Sequence, residues 1–80
     1  MKKRVIRKIR KEYCGHLSTI LLFTGELVYI LIRRVDEKSI YGIDYEGREI
    51  AIALNKIVYL YHWITKRILI VDKTKFRKVS

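Results

Sequence analysis

The 80-residue chain has no proline and no glutamine, a single cysteine and only four glycines. With Cys14 alone, an intramolecular disulfide is impossible, and no Cys/His spacing of the kind that holds structural zinc occurs. Such a chain suits a reducing, cytoplasmic setting, and a bridge between chains through Cys14 is the one disulfide left open. The longest uncharged stretch, 13–25, is interrupted by Gly15, His16, Ser18 and Thr19 and falls short of the roughly 20 apolar residues of a membrane span. No apolar segment with a small-residue cleavage site follows the basic N-terminus, so neither signal peptide nor anchor is read and no membrane partner is expected. Missing glutamine beside abundant Ile, Val, Lys, Arg and Tyr is a bias of heat-adapted proteins and points to a thermophilic source.

What the chain has in excess is positive charge, +10 in all. Residues 1–11 carry Lys2, Lys3, Arg4, Arg7, Lys8, Arg10 and Lys11 with no acid, whereas 12–65 hold more acids than bases. Residues 66–80 carry Lys66, Arg67, Lys73, Lys75, Arg77 and Lys78 against Asp72 alone. Two basic ends around a slightly acidic body are a pattern that nucleic-acid phosphates reward, because each neutralised phosphate releases a condensed counterion. Solubility alone would also account for either basic run taken singly.

The pattern along the chain is that of one domain, 1–80. Val5, Ile6, Ile9 and Tyr13 recur at helical spacing among basic residues, which predicts a basic amphipathic helix within 1–16 that ends near Gly15. Packing of this helix on the rest of the chain is favoured over insertion into a membrane surface, since its apolar stripe is narrow. Strand-like runs follow at 19–23, 27–35, 39–45, 48–54, 57–64 and 67–71, rich in β-branched and aromatic residues and separated by turn signals such as Glu46-Gly47. The predicted fold is mainly β with one N-terminal α-helix, a small five- to six-stranded antiparallel barrel over 17–64 followed by a basic strand or tail over 65–80. Strands 27–32 and 57–63 are apolar on both faces, which calls for cover by a neighbouring subunit.

The segment Leu21-Leu22-Phe23-Thr24-Gly25-Glu26-Leu27-Val28-Tyr29-Ile30-Leu31-Ile32-Arg33-Arg34-Val35-Asp36 resembles the first motif of the Sm-like family, the Sm, Lsm and Hfq-type RNA-binding proteins. Gly25, Val28, Ile32, Val35 and Asp36 occupy the places of its turn glycine, three apolar residues and aspartate. Leu54-Asn55-Lys56-Ile57 is similar to the family's pore-facing loop between the fourth and fifth strands. The family often has glycine where this chain has Ile30; its Sm and Lsm members place a stacking residue and an asparagine where this chain has Ser39 and Ile40, and its Hfq-type members a stacking residue where this chain has Lys38. The resemblance implies an SH3-like barrel that forms a hexameric or heptameric ring, with Ile57, Tyr59 and Tyr61 in the subunit interface. It also implies binding of single-stranded RNA, U- or A-rich, through Asp36, Lys38, Ser39, Asn55 and Lys56.

Phosphate contacts are expected from Lys2, Lys3, Arg4, Arg7, Lys8, Arg10, Lys11, Lys73, Lys75, Arg77 and Lys78. Other SH3-like or OB-like barrels fit the same strand pattern, as does an architectural DNA-binding protein without sequence preference. A module that docks residues 1–11 on acidic partners is a third class. His16, His62 and Cys14 lack a third ligand in the sequence, and no acids are spaced as a nuclease pair, so no metal, cofactor or enzymatic activity is expected.

Overall fold

The computed structural model describes residues 3–72. Helix α1 (Lys3–Glu12) is followed by strands β1 (Leu17–Leu22), β2 (Leu27–Val35), β3 (Ser39–Asp44) and β4 (Glu49–Ala53). A single 3-10 turn, Leu54–Lys56, leads into β5 (Ile57–His62), and β6 (Ile68–Ile70) ends the described chain. The helix is shorter than the sequence indicates. It stops at Glu12, where Tyr13 and Cys14 both donate backbone N–H bonds to the Ile9 carbonyl, and Gly15, at φ 86°, turns the chain into β1.

All six strands form one antiparallel sheet in the order β4-β3-β2-β1-β5-β6. The sheet is not closed into the barrel that the sequence predicts: β4 and β6 are each paired on one side only among the described residues. It is nevertheless tightly rolled, as two backbone hydrogen bonds require. Leu54 N–H donates to the Lys38 carbonyl at 2.8 Å and Phe23 N–H donates to the Lys56 carbonyl at 3.0 Å. A one-turn 3-10 segment is short enough that these contacts hold the segments just before and just after β2 within about 14 Å of each other. A straight strand of β2's length would separate them by about 26 Å. Strand β2 therefore folds back on itself.

The fold-back has a location. Pairing of β2 with β3 shifts register between Ile32 and Arg34, which leaves Arg33 as the extra residue of a β-bulge. Opposite Ile32 lies Gly42, where an added Cβ would collide with the Leu31 carbonyl oxygen and lie 2.8 Å from Ile30 Cγ1 and Cδ1. Glycine is thus required on β3 for β2 to bend over it, and the room taken by Ile30 is room that Gly42 leaves.

The concave side holds a core dominated by isoleucine: Ile20, Ile30, Ile32, Ile40, Ile52 and Ile57 from the sheet, with Ile6 and Ile9 from α1 and Tyr13 from the turn that follows it. Ile9 is completely buried, so the helix closes one mouth of the rolled sheet. A second tie fixes its end. His62 is buried on β5, with its Nδ1 accepting from the backbone N–H groups of Ile64 and Thr65 at 3.1 and 3.3 Å. That leaves Nε2 protonated, and it donates to the Glu12 carbonyl at 3.1 Å. Tyr13 and His16 pack on the same ring at centroid distances of 5.1 and 4.8 Å. Ser18, fully buried, donates to the Tyr61 carbonyl at 2.8 Å, so the core carries no unsatisfied side-chain polar atom among the described residues.

The outward face of β2, β1, β5 and β6 remains apolar, as the double-faced pattern predicts. Leu27, Leu21, Tyr59 and Ile70 form one cross-strand row, and Tyr29, Thr19, Tyr61 and Ile68 the next. Trp63 stands against Tyr29 at 6.3 Å and donates its indole N–H to Thr19 at 2.8 Å.

Substitution Gly42→Ala is expected to lower stability by about 1–3 kcal/mol, because neither the carbonyl nor the isoleucine it meets has room to retreat. Ile9→Ala should cost about 2–5 kcal/mol through the cavity it leaves. Urea unfolding measures both, and an unchanged midpoint for Gly42→Ala would remove the close-approach argument.

Candidate nucleic-acid interface

The loop residues picked from the sequence come together in space although they lie far apart in the chain. Asp36, Glu37 and Lys38 form the turn between β2 and β3, Ser39 opens β3, and Ser39 pairs with Ala53 at the end of β4. The bond from Leu54 N–H to the Lys38 carbonyl then sets the turn carrying Asn55 and Lys56 directly beside this loop. Lys38, Asn55 and Lys56 are exposed. Asp36 itself is a turn-former: its Oδ1 accepts from the backbone N–H of Lys38 at 2.8 Å and of Ser39 at 2.9 Å.

The acids of this region serve turns. The backbone N–H groups of Lys38 and Ser39, with the Tyr41 hydroxyl and Arg34, hold the Asp36 carboxyl below the usual carboxylate range. Asp44 is held low in the same way, first by the Arg48 backbone N–H, within the β3–β4 hairpin that Gly47 closes at φ 82°. Arg48 completes that hairpin by pairing with Asp44 at 3.1 Å and Glu46 at 2.9 Å.

The helix presents the opposite balance. Lys3, Arg4, Arg7, Lys8, Arg10 and Lys11 are all exposed, and among the described residues none is ion-paired with an acid. Lys3 and Arg7, Arg4 and Lys8, and Arg7 and Lys11 stand one turn apart, like-charge pairs that each cost an isolated helix about 0.2–0.5 kcal/mol. Buried Ile6 and Ile9 hold the helix in place against this repulsion. Arg10 reaches across to donate to the Val35 carbonyl at 3.4 Å, so the basic face adjoins the Asp36 loop. Lys2, Lys73, Lys75, Arg77 and Lys78, also expected to contact phosphate, lie outside the described residues. Lys66 and Arg67 are exposed on the β5–β6 turn, which wraps His62 close to the helix end.

The residues assigned to a subunit interface are placed differently from one another. Ile57 is fully buried in the core, whereas Tyr59 and Tyr61 are half-buried on the outward face. Strand β5 is flanked by β1 and β6, so its outer edge is already occupied within one chain. Cys14 is half-buried, and burial pushes its thiol above the ordinary range, which disfavours the nucleophilic thiolate. No group of three or more His, Cys, Asp or Glu side chains positioned for a metal ion occurs among the described residues, and no helix there is long and apolar enough to cross a membrane.

Reading the sequence as a slightly acidic body between basic ends passes over Arg33 and Arg34. Both are exposed while Ile32 and Val35 on either side are buried. Arg34 lies over the Tyr41 ring at 3.9 Å and 3.6 Å from Asp36. The signal was present, since an arginine doublet breaks the apolar run of β2, but the alternation rule assigns one of the two to the interior. No protein-family model matches the chain, and no curated protein matches it either.

Because Asp36 and Asp44 are depressed in the folded state, their stabilisation is complete above the unfolded value near 4 and is lost as pH falls through the lower folded values. An Asp36→Asn, Asp44→Asn double variant should be less stable than the parent at pH 7, with the gap closing below about pH 4. Urea midpoints at pH 7 and pH 3 read this, and a gap that stays constant with pH would refute it.

Proposed function

We propose that this protein binds nucleic acid as an RNA-binding protein of the Sm-like type. The observation that carries the reading is the unpaired basic face of α1, tied by Arg10 to the end of β2 and adjoining the joined loops of Asp36–Ser39 and Asn55–Lys56. Phosphates bound there relieve the like-charge repulsion along the helix while releasing their own counterions, so the electrostatic gain has two sources. The Sm-like part of the reading draws support from the Gly25 turn at φ 93°, the long bent β2 that follows it and the short link from β4 to β5. In this reading Lys38, Asn55 and Lys56 contact the RNA and Asp36 shapes their loop. The terminal lysines and arginines grip the backbone.

Because β6 covers β5, the edges left for assembly by strand pairing among the described residues are those of β4 and β6. A ring in this protein joins β4 of one subunit to β6 of the next. The basic face of α1 also fits a second reading, a monomeric or dimeric small-sheet protein that binds duplex DNA without sequence preference. Native mass measurement with and without oligo(U) and a duplex DNA distinguishes them: a hexamer or heptamer holding oligo(U) supports the first, and a monomer or dimer binding both equally supports the second.

Replacing Arg4, Lys8 and Lys11 together by Gln should weaken oligo(U) binding and reduce the slope of log K against log salt by about 2, the value for three phosphate contacts on a single strand. Fluorescence anisotropy across a salt series measures this, and an unchanged slope would show that the helix face is not the phosphate site.

A further inference from the structure

The bulge in β2 has a chemical consequence as well as a structural one. In an unbroken strand, consecutive side chains point to opposite faces, so one of Arg33 and Arg34 would enter the core. The extra residue instead turns both outward, giving the exposure pattern buried, exposed, exposed, buried over 32–35. Two consecutive arginines therefore stand on one surface, at the rim of an open concavity of about 660 Å³ shared with Tyr41, Gly42, Glu49, Ile50 and Ala51.

The two guanidinium groups differ in what holds them. Arg34 is clamped, stacked on the Tyr41 ring at 3.9 Å and drawn by the Asp36 carboxylate at 3.6 Å, yet its side chain remains 62% exposed. A guanidinium carbon set over the tyrosine ring, in a side chain left largely in solvent, can take a flat π-system on its planar group. Arg33 has no acid partner among the described residues, so its full charge is available to an anion. Glu49, on the β4 side, disfavours a phosphate there and leaves Arg33 as the phosphate position.

We propose that Arg33, Arg34 and Tyr41 form a nucleotide site that selects single-stranded nucleic acid, with an unpaired base stacked on Arg34 and its phosphate on Arg33. A base held in a duplex cannot present its face to Arg34, whereas any unpaired base can, so the site discriminates strandedness and not sequence. Val35, whose carbonyl receives Arg10, follows Arg34 directly, so the site continues the basic face of α1. The inference rests on the reading that the protein binds nucleic acid and names the form that it takes.

The test compares oligo(U) with a duplex of equal length by fluorescence anisotropy, using the full chain and its Arg33→Ala, Arg34→Lys and Tyr41→Leu variants. Arg34→Lys keeps the charge and removes the planar platform. It should weaken oligo(U) binding roughly fivefold or more, with duplex binding unchanged. Tyr41→Leu, which frees the clamp, should weaken oligo(U) in the same direction. Arg33→Ala should reduce the oligo(U) salt slope by about 0.7, one phosphate. Parent binding with all three variants unchanged overturns this site and leaves the nucleic-acid reading standing. Equal losses for oligo(U) and duplex in Arg34→Lys overturn the strand selectivity. No binding by the parent chain to either probe overturns both.

Discussion

The structure depends on one close approach, that of β2 over Gly42. Without a side chain on that residue, the Leu31 carbonyl and the Ile30 side chain can occupy the space a Cβ would need. With the approach made, the bulge at Arg33 lets β2 turn back, and the segments just before and just after it reach the same short 3-10 turn. Everything later in the chain uses that geometry. Three residues suffice to lead from β4 to β5, although the two strands are far apart in sheet order, only because the sheet between them is rolled.

Rolling also sets what lies where. The concave side becomes a small interior that six sheet isoleucines and the apolar stripe of α1 fill, with β-branched side chains suited to the pleat. The helix is held by packing and by the His62 bond to its last turn, and not by its own charge pattern, which opposes it. A surface that is electrostatically unfavourable in the free protein is kept in a fixed position, ready for a polyanion. Asp36 and Asp44 are meanwhile engaged in their own turns, at the β2–β3 loop and the β3–β4 hairpin, and the ion pairs among the described residues join no acid to the helix cations.

Much of this was legible from residues alone. The helix stripe of Val5, Ile6, Ile9 and Tyr13, the glycine turns at Gly15, Gly25 and Gly47, and all six strands follow from local periodicity and turn chemistry, with ends misplaced by a few residues at most. The resemblance to the Sm-like motifs points to Asp36, Lys38, Ser39, Asn55 and Lys56 together, and the fold places the two loops that carry them side by side. The bulge is not legible in β2 alone, because a register shift is a property of two strands, and the Arg33-Arg34 doublet that interrupts the apolar run does not say which way the strand shifts. For the same reason nothing in β3 alone marks Gly42 as a point of close approach, and strand alternation alone assigns one of Arg33 and Arg34 to the interior. Closure of the barrel was assumed, and the open sheet arises from β6 pairing along β5 in place of any β4–β5 ladder.

The sequence by itself determined which segments are helix and strand, where the chain turns, and that positive charge concentrates on α1. These are short-range matters, decided by side-chain polarity at period 3.6 or 2 and by a few residues that tolerate left-handed backbone. Only the tertiary structure decided which side of β2 its arginines occupy, which loops become neighbours and in what order the strands pair. Those outcomes turn on contacts between segments remote in sequence, such as Ile30 with Gly42, Lys38 with Leu54 and His62 with Glu12, whose energies exist only once the sheet has rolled.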